Sequence, residues 1–245
     1  MHAGTVSPSN GGASLRTQKV RRILPLSRNR EAKHLYVPEH FRESRIEVLR
    51  AFVERYSLST LIAVTSEGIT ANHIPMQWLA APDDGPGLLR GHVARANPLW
   101  RLLPGGSPAL AVFIGPDHYV SPSWYPSKHE HGKAVPTWNY ATVHVHGHIR
   151  FIDDVGWLRQ LVESLTDEHE RASARRWRIT DAPADYIAGM LRAIVGFEIQ
   201  VSAIEGKFKA SQNRSAADRA GVAEALRAAG LPADAVTQLA PEGGT

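Results

Sequence analysis

Residues 133–151 read KAVPTWNYATVHVHGHIRF, and their alternation sets the fold class. Thr142, His144, His146, His148 and Arg150 take one parity, and Val143, Val145, Gly147, Ile149 and Phe151 take the other. Period-two patterning implies a β-strand with one buried and one open face, because successive side chains leave a pleated strand on opposite sides. The three imidazoles therefore share a face, with neighbours about 7 Å apart along the strand. Two of them can share a metal ion only if a further ligand arrives from elsewhere. His129, Glu130 and His131 are the nearest donors and fall in a loop. Spacing alone leaves a hydrogen-bonded polar face, a cofactor or interface contact, and a metal centre all open.

Outward from this strand the pattern stays mainly β. STLIAVTSEGITANHIPMQWLA (59–80) places two β-branched runs around Glu67-Gly68, which reads as a hairpin turn. PDDGPG (82–87) is a second turn and leads into a strand, LLRGHVA (88–94). PALAVFIG (108–115) is nearly all apolar, as a strand buried on both faces would be, and HYVSPSWY (118–125) is a further strand interrupted by Pro122. Ser44 and Glu47 have capping-box spacing ahead of a helix that carries Ile46, Leu49, Phe52, Val53 and Tyr56 on one side. After Asp153-Asp154 comes a helical stripe of Trp157, Leu158, Leu161, Val162 and Leu165. Tyr186 to Ala193 reads as a helix, IVGFEIQVSAI (194–204) as a returning strand, and the Ala-rich end from Ala216 as two helices parted at Gly230-Leu231-Pro232. About six strands with no βαβ rhythm point to a mainly β architecture, an antiparallel β-barrel with flanking helices.

Composition narrows the chemistry. The 245 residues contain no cysteine, which excludes disulfides, thiolate metal sites and cysteine nucleophiles. A reducing cytoplasm is the expected setting, and no apolar run is long enough to span a membrane. The net charge of +4 is misleading as a sign of nucleic-acid binding. Residues 1–34 hold seven Lys/Arg and one acid, so they carry +6 and leave the body at −2. That Ser-, Gly- and Arg-rich stretch is expected to be a disordered extension. No Ser/His/Asp order, nucleophile elbow or glycine-rich phosphate loop stands out.

Several clusters have a plain reading beside a functional one. GHVARANPLWR (91–101) leaves a strand and enters a short helix, so free backbone N–H groups lie close to Arg95 and Arg101 and suit an anion. The plain alternative is a turn capped by Asn97 with Pro98 at the first helical position. Trp124-Tyr125 and Trp138-Asn139-Tyr140 could stack on a flat ring or fill the barrel end. Ser211-Gln212-Asn213-Arg214 could close a site or be a solvated loop.

Taken together, LYVPEHF (35–41), GHVARANPLWR, GPDHYVSPSWY (115–125), VPTWNYATVHVHG (135–147) and IVGFEIQ…KFKASQNR (194–214) resemble, in order, the landmarks of the PaiB-like family. These are split-barrel proteins that bind flavin mononucleotide (FMN) and are called negative transcriptional regulators. The resemblance implies a six-stranded antiparallel, pyridoxamine-phosphate-oxidase-like FMN-binding split barrel over residues 35–214, and the Ala-rich end is expected to form a helical tail over 215–245. The resemblance also implies a homodimer with FMN near the subunit interface. The phosphate is then expected within His92–Arg101, near Arg95, Asn97 and Arg101. Trp124, Tyr125, Trp138 and Asn139 become the expected isoalloxazine wall, and Gln212, Asn213 and Arg214 its closure. His73 and His144 are expected to contact cofactor or neighbour, and no metal is expected. Asn72-His73-Ile74-Pro75 departs from the family's Thr-His-Leu-Pro, and the pattern begins where Leu35 stands, which makes Met1 a candidate misplaced start. A flavin oxidoreductase and a haem-binding relative are the rival functions. Direct DNA binding stays open without a visible helix-turn-helix.

Overall fold

The computed structural model describes Met1, residues 35–81 and residues 85–241. The basic N-terminal stretch and the middle of the Pro82–Gly87 turn lie outside the described residues. Eight strands form one antiparallel sheet: β1 (Arg42–Glu43), β2 (Leu58–Thr65), β3 (Gly68–Pro75), β4 (Gln77–Leu79), β5 (Leu88–Ala94), β6 (Ser107–Val120), β7 (Thr137–Ile152) and β8 (Ile194–Lys209). Their order is β3-β2-β6-β7-β8-β5-β4, with β1 added to β8.

The expected six-stranded barrel is corrected in two respects. Two extra strands, β1 and β4, are short, and the sheet is not a closed ladder, because its end strands β3 and β4 do not pair with each other. The run from Gly68 to Leu79 bends at Met76, a buried side chain whose N–H donates to Ser57 O at 2.9 Å. Before the bend the chain pairs with β2, and after it with β5. Pro75 sits at the break, where its missing N–H costs no ladder bond.

β7 behaves as its alternation requires. Val143, Val145 and Ile149 are fully buried in the main core with Leu61, Phe113, Phe197 and Ile199, while His144, His146 and His148 leave on the opposite side. Gly147 is demanded by a register shift, since a Cβ there would run into Gln200 O of β8. The apolar 108–115 and aromatic 118–125 segments are not two strands. Residues 108–115 and 118–120 belong to one long β6 with an irregularity between Ile114 and Asp117, and Pro122 starts a 3-10 turn just beyond it. The β2–β3 turn is Ser66-Glu67, one residue earlier than expected, with Gly68 at φ +116° opening β3.

Helices cover only part of the sheet. α1 (Ile46–Arg55) buries Leu49, Phe52 and Val53 in the main core. The Ser44 capping box does not form; Glu43 Oε1 instead accepts from Arg45 N–H at 2.8 Å. α2 (Leu99–Leu102) and α3 (Ser127–His131) are short. α4 (Val155–His169) is capped by Asp154, which accepts from Trp157 N–H, and together with α5 (Ala184–Arg192) it lies against β8. α6 (Ala216–Ala228) and α7 (Ala233–Leu239) bury Val222, Leu226, Val236 and Leu239 with Val120 and Tyr125. No helix among the described residues is long and apolar enough to cross a membrane.

Candidate functional site

The outer face of β3, β2, β6 and β7 lies opposite the main core. Over the C-terminal half of β8 it is met by the stretch from Leu35 to Phe41, whose Leu35 N–H donates to Glu205 Oε2 at 3.2 Å. Pairing sets its rows: His73, Thr60, Val112, His144 and Glu205 lie side by side, and the next row holds Ala71, Ile62, Leu110, His146 and Ala203. Around this centre Ile69 is 80% exposed, Val64 70%, Leu58 63% and Ile114 56%. Contiguous exposed apolar surface on a β-sheet marks an interaction site rather than ordinary surface.

The imidazoles have different surroundings. His73 Nδ1 lies 3.1 Å from Thr60 Oγ1, and His146 Nε2 lies 3.2 Å from Glu205 Oε2. Burial first, then the neighbouring His146, holds the His144 imidazole below its ordinary value, so its neutral form is favoured. The His144 and His146 rings are 6.5 Å apart. No group of three or more His, Asp or Glu side chains among the described residues could hold a metal ion.

Further along the same face, Trp138 and Tyr119 meet edge to face with centroids 6.0 Å apart. Tyr140, Lys207 and Lys209 follow the same parity. The residues present therefore fit a flavin phosphate: flat apolar and aromatic surface for a ring system, and cations at its margin for an anion.

The thirteen residues expected at the site do not converge on one pocket. His73, His144 and Trp138 share the open face. His92 lies on β5 beneath α4, lining a cavity of about 330 Å³ with His169 and Trp177. Burial alone pushes its imidazole below the ordinary value. Arg95 donates to both carboxylate oxygens of Asp153, at 2.8 and 2.5 Å, and to the carbonyls of Arg192 and Ile194. Asn97 caps the turn, accepting from Leu99 N–H at 3.0 Å, and its amide donates to Asn72 Oδ1 at 2.7 Å. Arg101 is exposed, with its guanidinium 4.6 Å from the Trp100 centroid.

A further group sits at the barrel end under the C-terminal helices. Asn139 is fully buried and donates to Leu239 O and Ser211 Oγ, both at 2.9 Å. Tyr125 is buried, with Arg214 4.8 Å from its centroid. Trp124 packs beside it, half-buried. Gln212 accepts from Ala210 N–H and donates to Phe208 O, and Asn213 is exposed. Sequence reasoning passed over Lys207 and Lys209, although two cations spaced by one residue at the end of a strand must leave on one face.

A barrel-like antiparallel sheet with one aromatic, histidine-crossed face left open defines a split-barrel flavoprotein fold. Residues 35–203 match the family described as "Putative FMN-binding domain". Protease synthase and sporulation protein PAI 2 of Bacillus subtilis is 31% identical over 200 residues, covering 79% of this chain and 89% of its own. Uncharacterized protein AN0679 of Emericella nidulans is 32% identical over 223 residues, covering 77% and 88%. Among solved structures, the flavocytochrome Anf3 from Azotobacter vinelandii superposes with a TM-score of 0.52 at 12% identity, over 71% of this chain and 72% of that one; this likeness concerns the fold alone. The chain belongs to the PaiB-like family of FMN-binding split-barrel proteins, and its cofactor is FMN.

Proposed function

We propose that two copies of this chain pair through the open sheet face, hold FMN along the seam and act as a negative regulator. The observation that carries the pairing is the exposure of Leu58, Val64, Ile69 and Ile114 on one continuous face. Fully burying a side chain of this kind stabilises by roughly 1.5–3 kcal/mol, so several from each copy can offset the entropy lost on association. His73, His144 and Trp138 are the expected residues that face the seam. FMN supplies electron chemistry when bound, and the protein supplies position and local charge.

The regulatory part rests on similarity to PAI 2, whose name ties it to protease synthase and sporulation. Recognition of DNA by the C-terminal helices has little support. α6 carries Arg219 and Arg227, and the Arg219 guanidinium donates inward to Arg214 O at 3.0 Å. Regulation then runs through the flavin-bound state or a protein partner. Sedimentation of the purified protein with its absorption spectrum tests the reading. A two-copy species carrying a flavin band is expected, whereas a colourless monomer that refuses added FMN would overturn it.

A further inference from the structure

We propose that the cavity beneath α4 is a second small-molecule site, apart from the flavin, and that it takes an uncharged nitrogen heterocycle of one or two fused rings. The cavity measures about 330 Å³ and is lined from the end of β3, from β5, from α4 and from the segment that follows α4. Ligand pockets run from roughly 300 to 1,000 Å³, so this one limits its occupant to a compact molecule. His73, His144 and Trp138 of the open face do not line it.

The strand pattern builds the cavity. Leu89 and Val93 of β5 face the main core, so His92 leaves on the opposite side, level with Gly196 of β8. Gly91 lets the end of β3 close in, since a Cβ there would stand 3.0 Å from Pro75 O. From above, α4 contributes the apolar side chains Val162 and Leu165. Trp177 completes the wall, its backbone N–H donating to Glu170 Oε2 at 3.2 Å. Its indole stays 43% exposed, which leaves a flat aromatic face for a second ring.

The polar groups select the occupant. His92 is half-buried, and it has no hydrogen-bond partner among the described residues. Such unmet groups are the exception in folded chains, and here the imidazole borders a space that can hold a partner. Burial pushes it below its ordinary value, so one ring nitrogen donates and the other accepts. Glu170 Oε1 also lacks a partner among the described residues. No Lys or Arg lines the cavity among those residues, so a phosphate or carboxylate finds no fixed cation there. A neutral ring with an N–H for Glu170 and a bare nitrogen for His92 meets both groups and lies against Trp177.

The test is calorimetric titration of the full chain, with and without FMN, against benzimidazole and against benzoate, an anion of similar size. Benzimidazole is expected to bind without displacing FMN, and benzoate about tenfold more weakly or worse. His92→Phe, which keeps a ring and removes its hydrogen bonds, and Trp177→Ala should each weaken benzimidazole by about five- to tenfold. Val162→Phe, which fills the cavity from α4, should abolish its binding; circular dichroism verifies that each variant is folded. Wild type that takes no benzimidazole at millimolar concentration overturns the proposal. Binding that is unchanged in Trp177→Ala and Val162→Phe overturns it too, because the ligand then sits elsewhere. Benzimidazole that displaces FMN makes the cavity part of the flavin site and overturns a second one. A chain that takes benzimidazole but never FMN upholds this site while removing the flavin reading.

Discussion

Asn139 and Ser211 hold each other across the end of the barrel. Asn139 Nδ2 donates to Ser211 Oγ at 2.9 Å, and that hydroxyl donates to Asn139 Oδ1 at 3.2 Å. The same Asn139 amide reaches Leu239 O, so one fully buried side chain ties β7, the segment after β8 and α7 together. Ser211 adopts φ 63°, a left-handed conformation that a residue bearing a Cβ takes at some strain, and the buried pair is what retains it.

Removing the amide should loosen the C-terminal helices. Asn139→Ala leaves a buried hydroxyl and a buried carbonyl without their donor, which costs about 2–4 kcal/mol. The thermal midpoint is expected to fall by roughly 5–15 °C, with limited proteolysis cutting first near α6 and α7. An unchanged midpoint would show that the latch contributes nothing.

Arg95 and Asp153 give a second expectation. The guanidinium holds the Asp153 carboxyl below the usual carboxylate range through their hydrogen bonds. In Arg95→Ala, Asp153 should titrate at an ordinary carboxylate value by NMR, and the flavin stoichiometry should not change. Loss of flavin from this variant would make Arg95 a cofactor contact in addition to its bond with Asp153.

The open face predicts its own disruption. Ile69→Lys places an ammonium on the most exposed apolar position of that face, where pairing would bury it unpartnered. The variant should sediment as a folded single copy with an unchanged circular dichroism spectrum. A dimer that persists would put the seam elsewhere.

Acid should weaken the fold through its histidines. Burial places the folded-state values of His92 and His144 below the ordinary value of about 6.5. In that window the unfolded chain binds more protons, so the stabilisation present above the unfolded value is lost as pH falls towards the folded value. Denaturant midpoints at about pH 7.5 and about pH 5.5 should differ in wild type and differ less in His92→Gln. An identical pH dependence in both proteins would remove His92 from the account.

The sequence announced the fold through side-chain parity and announced the site much less. Strong alternation made β7 readable together with its inner and outer sets, and Asp153-Asp154 correctly marked the start of α4. The bend at Met76 was illegible, because HIPMQW keeps a strand-like composition through a point where the pairing partner changes. Site residues were harder, since motif order says which residues recur and not which way they face. Arg95 was expected beside an anion, and its contact with Asp153, 58 positions away, could not be read from the sequence. Asn139 was expected at the cofactor wall, and its bond to Leu239 O depends on the packing of α7, which the sequence does not display. Lys207 and Lys209 looked incidental until pairing with β7 set them on the histidine side.

The break at Met76 bears on how this architecture tolerates change. A continuous hydrogen-bonded ring fixes its circumference by strand count and stagger, so adding a residue disturbs every neighbour. Here the sheet is open, and the pairing partner changes from β2 to β5 at Met76, whose side chain is buried and whose N–H binds Ser57 O. Slack introduced beside that point has somewhere to go. Length variation between relatives should therefore gather next to this break, leaving the long central strands untouched.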